Sequence, residues 1–172
     1  DVRPKFPFKY YGINVSKFEI FRHGYIRVFG EGNIGKIYNS LHVGPYGEYD
    51  VVDNNDFIAV KWYYEMWFSG TKYIMKITIV IHSGGKISLY YEDIPTGHKE
   101  IPQSSTIEGL IQCGDVRKVE IVTPGEWITS DTLVEIEPIG DVREPEITTP
   151  AELMTSDTSV NLKPIEGRLN LI

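Results

Sequence analysis

The chain predicts an all-β protein: an antiparallel β-sandwich, jelly-roll-like or immunoglobulin-like, followed by a short β-rich tandem repeat. Three observations carry this. Apolar residues alternate with a period of two through several runs of residues 1–112. No window holds a 3.6-residue apolar period over a helical length. Residues 114–139 recur as residues 140–165, with 16 of 26 positions identical and no gap.

The strands follow in order. Phe6 to Gly12 reads FPFKYYG, an aromatic edge strand with Pro7 where a missing N–H costs nothing and Gly12 where the chain can turn sharply. Phe18, Ile20 and Arg22 alternate with Lys17, Glu19 and Phe21, and after His23-Gly24 a second run covers Tyr25 to Phe29. Gly30, Gly32 and Gly35 mark a loop. Phe57 to Phe68 is long, apolar and aromatic. In Tyr73 to His82, one face is Tyr73, Met75, Ile77, Ile79 and Ile81. Ser83-Gly84-Gly85-Lys86 turns the chain, and Ile87, Leu89 and Tyr91 answer on the return. A Gly-Gly pair suits a two-residue hairpin, whose two central residues both take positive φ. Trp62 closes its strand on the core side.

The repeat predicts two short strands per copy, at Val119 to Thr123, Leu133 to Ile136 and Val160 to Leu162. The TSDT stretches, Thr129 to Thr132 and Thr155 to Thr158, are turn-rich. A unit this small buries little alone and gains stability by lying on a neighbour. A flexible acidic stalk is the alternative.

Charge and aromatics set the same boundary. Residues 1–113 hold 12 Lys and Arg against 12 Asp and Glu, and 20 of the 21 aromatics. The net charge of −7 therefore sits beyond them. The expected organisation is a sandwich over residues 1–112 and an acidic segment over 113–172, with the two repeats and a short tail. An acidic chain argues against a nucleic-acid partner. No run of about 18 apolar residues exists, so no membrane span is expected. Cys113 is the single cysteine, which excludes an intrachain disulfide and leaves a buried small residue or an interchain bridge.

Phe6 to Gly12, HGYIRVFG (His23 to Gly30), DFIAVKWYYEMWF (Asp56 to Phe68) and YIMKITIVIHSGGKISLYYEDIP (Tyr73 to Pro95) occur in that order. Together they resemble the extracellular module of the plexin-domain-containing transmembrane proteins, with looser relatives in nidogen-type and bacterial surface proteins. The resemblance covers about residues 6–95. It implies a secreted or cell-surface β-sandwich used for binding or assembly, and no active site. The acidic repeat matches nothing in that family. A start at Asp1 fits either a removed signal peptide or an excised segment.

Candidate sites are few. Asn14-Val15-Ser16 is an N-glycosylation sequon. Asp50, Asp53 and Asp56, with Glu48 nearby, offer the oxygen ligands calcium takes, although Asp53-Asn54-Asn55-Asp56 also reads as a plain turn. No other cofactor is suggested. His23, His42, His82 and His98 are not at ligand spacing, and no serine sits in a nucleophile elbow. On the strand through Trp62, residues Tyr63, Glu65 and Trp67 share the face opposite Trp62 and Tyr64. Left exposed, this aromatic pair beside a carboxylate stacks on a sugar or anchors a protein interface; the alternative is that the acidic repeat or a loop covers the face. Trp127, the lone aromatic of the repeat, is a further binding-surface candidate.

The sequence thus points to a non-enzymatic, secreted structural or adhesive module. It would self-associate, as an oligomer or polymer, through strand or surface contacts of the repeat. A carbohydrate-binding module is the alternative, and an enzyme with scattered carboxylates ranks third.

Overall fold

The computed structural model describes residues 1–39, 47–68, 70–94, 104–113, 115–124, 128–138 and 158–164. Among them the chain forms thirteen strands and no helix. These are β1 (Lys9–Tyr10), β2 (Ile13–Asn14), β3 (Lys17–Phe21), β4 (Tyr25–Gly30), β5 (Gly32–Tyr38), β6 (Glu48–Asp53), β7 (Phe57–Phe68), β8 (Thr71–His82), β9 (Ile87–Glu92), β10 (Ser104–Cys113), β11 (Asp115–Pro124), β12 (Thr132–Pro138) and β13 (Thr158–Pro164). A five-stranded sheet runs β11-β10-β5-β4-β3 and a six-stranded sheet runs β13-β12-β9-β8-β7-β6. Every pairing is antiparallel, and one apolar cluster draws on both sheets. The β-sandwich expected from the alternation is what the chain forms. Within each sheet all neighbours are consecutive in sequence except β5–β10 and β9–β12. Two meanders, each extended along one edge, replace the Greek-key order of an immunoglobulin domain or a jelly roll.

The core of the six-stranded sheet lies in three cross-strand rows. Ile58, Ile81, Ile87 and Ile136 make one; Val60, Ile79, Leu89 and Val134 the next; Trp62, Ile77, Tyr91 and Thr132 the third. Period-two alternation puts every second residue on this face, which is why the apolar runs could be read as strands. Trp62 is fully buried, and its indole N–H donates to the carbonyl of Phe21 on the opposite sheet at 2.9 Å.

The entry segment closes one end of the sandwich. Tyr11 and Gly12 both have positive φ, the two-residue turn that suits the twist of the β1–β2 ribbon. Phe6, Phe8 and Tyr10 are buried, and the Tyr10 hydroxyl donates to the Glu108 carbonyl at 2.7 Å. The ring of Tyr10 lies over Gly35, and that of Tyr11 over Gly109. These two glycines are cross-strand partners in β5 and β10. Gly35 was expected in a loop. It is instead a strand residue at which a side chain would run into the Glu108 carbonyl and then the Tyr10 ring.

The Gly84-Gly85 turn also differs from expectation. Only Gly85 has positive φ, and the loop spans Ser83 to Lys86, closed by His82 N–H donating to the Lys86 carbonyl at 2.9 Å. A four-residue loop needs one left-handed residue, not two.

The first repeat copy is built into the sandwich and does not follow it. Its first strand, β11, lies on the edge of the five-stranded sheet and its second, β12, pairs with β9 in the other. Val134 and Ile136 are buried, each contributing roughly 1.5–3 kcal/mol, enough to hold an acidic strand on the core. The intervening turn is the first TSDT stretch, where Asp131 takes positive φ and Thr129 N–H donates to Thr132 Oγ1 at 3.1 Å. A boundary at 112/113 therefore cuts β10 one residue before its end.

Candidate functional site

Two features of the six-stranded sheet stand out: its long β7–β8 ribbon and its edge at β13, the last of its described strands.

β7 and β8 pair over twelve residues, from Phe57↔His82 to Phe68↔Thr71. Among the described residues β6 accompanies β7 as far as Tyr63, and β9 accompanies β8 from Lys76. Beyond Tyr63 and Lys76 no other described strand flanks the ribbon. Its outer face carries Glu65 and Trp67 from β7 and Lys72 and Ile74 from β8, by strand alternation. Trp67 is 69% exposed and Ile74 45%, while Lys72 pairs with Glu65 at 2.7 Å. An exposed tryptophan beside an exposed isoleucine is a natural anchor for a partner. Of the two outcomes left open for this face, exposed or covered, Trp67 is exposed. Tyr63 does not join it in the open. It is half-buried, with the Lys61 ammonium 6.0 Å from its ring centroid, and burial followed by a hydrogen bond to Asp50 raises its pKa.

The remaining candidates are scattered. Asp50 faces Lys61 in the β6–β7 register, and Asp53 pairs with Lys5 at 3.3 Å. Asn54 Oδ1 accepts from the backbone N–H groups of Asp56 and Phe57 at 2.8 and 2.9 Å, which makes Asp53 to Asp56 a side-chain-closed turn. Among the described residues no three His, Cys, Asp or Glu side chains converge as a metal site. Asn14 is exposed on β2, and Ser16 of its sequon donates to the carbonyls of Phe29 and Gly30. Cys113 ends β10 opposite Asp115. Trp127, His42 and His98 lie outside the described residues, as does most of the second repeat copy.

Sequence reading missed three clusters. On the outer face of the five-stranded sheet, Phe21 stacks on Tyr25 (4.3 Å, 10°), Tyr25 leans on Tyr38 (5.5 Å), and the Arg27 guanidinium lies 4.9 Å from the Phe21 ring. Rings stacked on one another present edges, so this row is no platform for a sugar. Their alternation with charged residues was visible, but not the register that aligns them. Second, His82 Nε2 lies 3.0 Å from Ser88 Oγ, and Lys86 pairs with Glu135 at 2.9 Å, tying the β8–β9 turn to the first repeat copy. Burial first, and Lys86 second, lower the His82 pKa. Ser88 has no exposed surface, so the His–Ser contact offers no nucleophile to an external substrate. Third, Lys61 and Glu92 form a largely buried ion pair at 2.8 Å across the outer face of the six-stranded sheet.

The β13 edge is defined by pairing alone. β12 and β13 occupy equivalent positions in the two repeat copies, 26 residues apart, and pair antiparallel along their whole length. β13 ends the sheet, with no described strand beyond it.

No family model, curated protein or solved structure matches this chain. Among the described residues no helix is long and apolar enough to cross a membrane.

Proposed function

We propose that the protein is a non-enzymatic structural or adhesive module of the cell exterior that self-associates through its C-terminal repeat. One observation carries the reading: a strand of one repeat copy already pairs with the equivalent strand of the other. A sheet that grows by adding this strand ends on an edge made of the same strand, and unpaired edges recruit further strands. The likeness of residues 6–95 to the plexin-domain-containing module, and the exposed Asn14 sequon, support an extracellular setting.

The test is sedimentation velocity on the intact chain over a wide concentration range, beside a Leu162→Pro variant. Proline removes a ladder donor from β13 while leaving β1 to β12 in place. The expected result is association of the intact chain and a monomeric variant. An intact chain that stays monomeric at millimolar concentration overturns the reading.

A second reading is favoured by the 69% exposure of Trp67: a carbohydrate-binding module that stacks a sugar on the ribbon. Retardation of the chain in gels containing soluble polysaccharides, abolished by Trp67→Ala, would support it.

A further inference from the structure

We infer that the outer edge of β13 pairs with β13 of a second copy of this chain about a twofold axis through Asn161, giving a closed dimer with one continuous sheet. The inference rests on the self-association proposed above and specifies its edge, register and symmetry.

The β12–β13 register supplies the geometry. Thr132 faces Pro164, Glu135 faces Asn161 and Pro138 faces Thr158. Glu135 and Asn161 are equivalent positions of the repeat, so the two strands are related by a local twofold at that pair. The repeat strand thus already pairs with its own kind, centred on its own middle residue. Transferred to the outer edge of β13, the same register pairs residue 161 with residue 161 of the partner and keeps all seven residues in the ladder. A shift by one residue would reverse the partner strand's alternation relative to β13.

The differences between the copies fit this placement. β12 reads TLVEIEP and β13 reads TSVNLKP. A symmetric pair of β12 strands would set Glu135 opposite Glu135, and like charges directly opposite are destabilising. The edge copy has asparagine there, a residue able to donate to and accept from its own kind. At the flanking positions the symmetric register sets Ser159 opposite Lys163, where two β12 strands would set Leu133 opposite Glu137. The copy without the central acid is the one at the edge.

The symmetry has a consequence for assembly. A twofold contact uses the same patch on both partners and closes on itself, so this edge alone yields dimers and not filaments.

The test places single cysteines on β13 of the full chain in a Cys113→Ser background, followed by mild oxidation and non-reducing electrophoresis. Residues directly opposite in an antiparallel pair have Cα atoms about 4.5–5.5 Å apart, inside the disulfide range. Asn161→Cys therefore links two chains quantitatively. Ser159→Cys does not, because its own counterpart lies about 13 Å away along the partner strand. Sedimentation of the unmutated chain gives a dimer and nothing larger. Equal linking of both variants overturns the register. No linking of Asn161→Cys, with an intact chain that still associates, overturns this edge and leaves self-association standing; a swapped dimer, which sets Asn161 against Glu135, behaves this way. An intact chain that is monomeric throughout overturns both.

Discussion

Trp62 donates its indole N–H to the carbonyl of Phe21 at 2.9 Å, joining the six-stranded sheet to the five-stranded one through a fully buried side chain. Two sheets held by apolar contact alone can slide; a directional bond between them fixes their offset. Trp62→Phe removes that donor, leaves the Phe21 carbonyl without it, and opens space beside Tyr49, whose ring centroid lies 6.3 Å away. The expected cost is about 2–4 kcal/mol, the lost bond and the partial cavity together. Denaturant unfolding measures it; a midpoint within error of the parent would show that the bond does not tie the sheets.

The paired glycines under the entry ribbon are a second structural commitment. A Cβ on Gly109 would run into the ring of Tyr11, whereas one on Gly84 meets nothing within 4 Å. Gly109→Ala is expected to lower stability by about 1–3 kcal/mol through overpacking. Gly84→Ala should be neutral or slightly stabilising, by up to about 1 kcal/mol, because it restricts the unfolded chain. Thermal unfolding of the two variants side by side decides it; equal effects would contradict the packing.

How much of this was legible in the sequence depends on the range of the interaction. Alternation in Tyr73 to His82 separates two faces of the strand, and the structure buries Met75, Ile77, Ile79 and Ile81 of one of them in the core between the sheets. Parity set Trp62 and Trp67 on opposite faces, but it left the Trp67 face open to solvent or to a cover, and of that face Tyr63 is half-buried while Trp67 is exposed. Gly35 is a strand residue and not the expected loop residue, and the groups that require a glycine there, the Glu108 carbonyl and the Tyr10 ring, are both distant in the chain. The repeat's short strands are legible in its β-branched runs, but the surface they lie on is not, because β9 and β12 are joined only through long-range pairing. Val134 and Ile136 sit on the core side while Glu135 faces outward to Lys86. Period-two patterning lets one strand be acidic on one face and core on the other.

The Lys61–Glu92 pair provides a third prediction. Both side chains are largely buried, at 13% and 8% exposure, and 2.8 Å apart. Removing one partner leaves a charge without compensation where water is scarce, so Lys61→Met is expected to cost about 3–5 kcal/mol. The double variant Lys61→Met/Glu92→Leu should recover most of that loss, because two apolar side chains replace the pair. A double-mutant cycle by denaturant unfolding checks it; strict additivity would mean that the two charges do not interact.

Acid and alkali should act through different residues. Burial, then Lys86, lowers the His82 pKa in the folded protein. The unfolded chain binds this proton more readily, near pH 6.5, so stability falls as pH drops below that value. His82→Gln should flatten this slope between pH 7 and 5. Burial pushes the hydroxyls of Tyr11 and Tyr64 up to about 12. The unfolded chain then loses these protons first, near pH 10, and stability declines as pH rises from 10 towards 12. Tyr64→Phe should reduce the alkaline decline, read from unfolding midpoints across pH. A slope untouched by either substitution would assign the titration elsewhere.

Trp67 separates folding from recognition. Its side chain is 69% exposed on the β7–β8 ribbon, so Trp67→Ala should change unfolding free energy by less than about 0.5 kcal/mol. Ile74→Ala, beside it and 45% exposed, should behave alike. Whatever binds the ribbon should lose affinity by tenfold or more on Trp67→Ala, as an anchor tryptophan of an interface does. The variant also divides the two functional readings. If self-association depends on the β13 edge alone, Trp67→Ala leaves sedimentation unchanged and weakens only a heterologous ligand. If the variant disperses the oligomer, the ribbon is itself an assembly contact. A second, non-equivalent patch of that kind, added to the closed β13 dimer, is what would extend dimers into filaments.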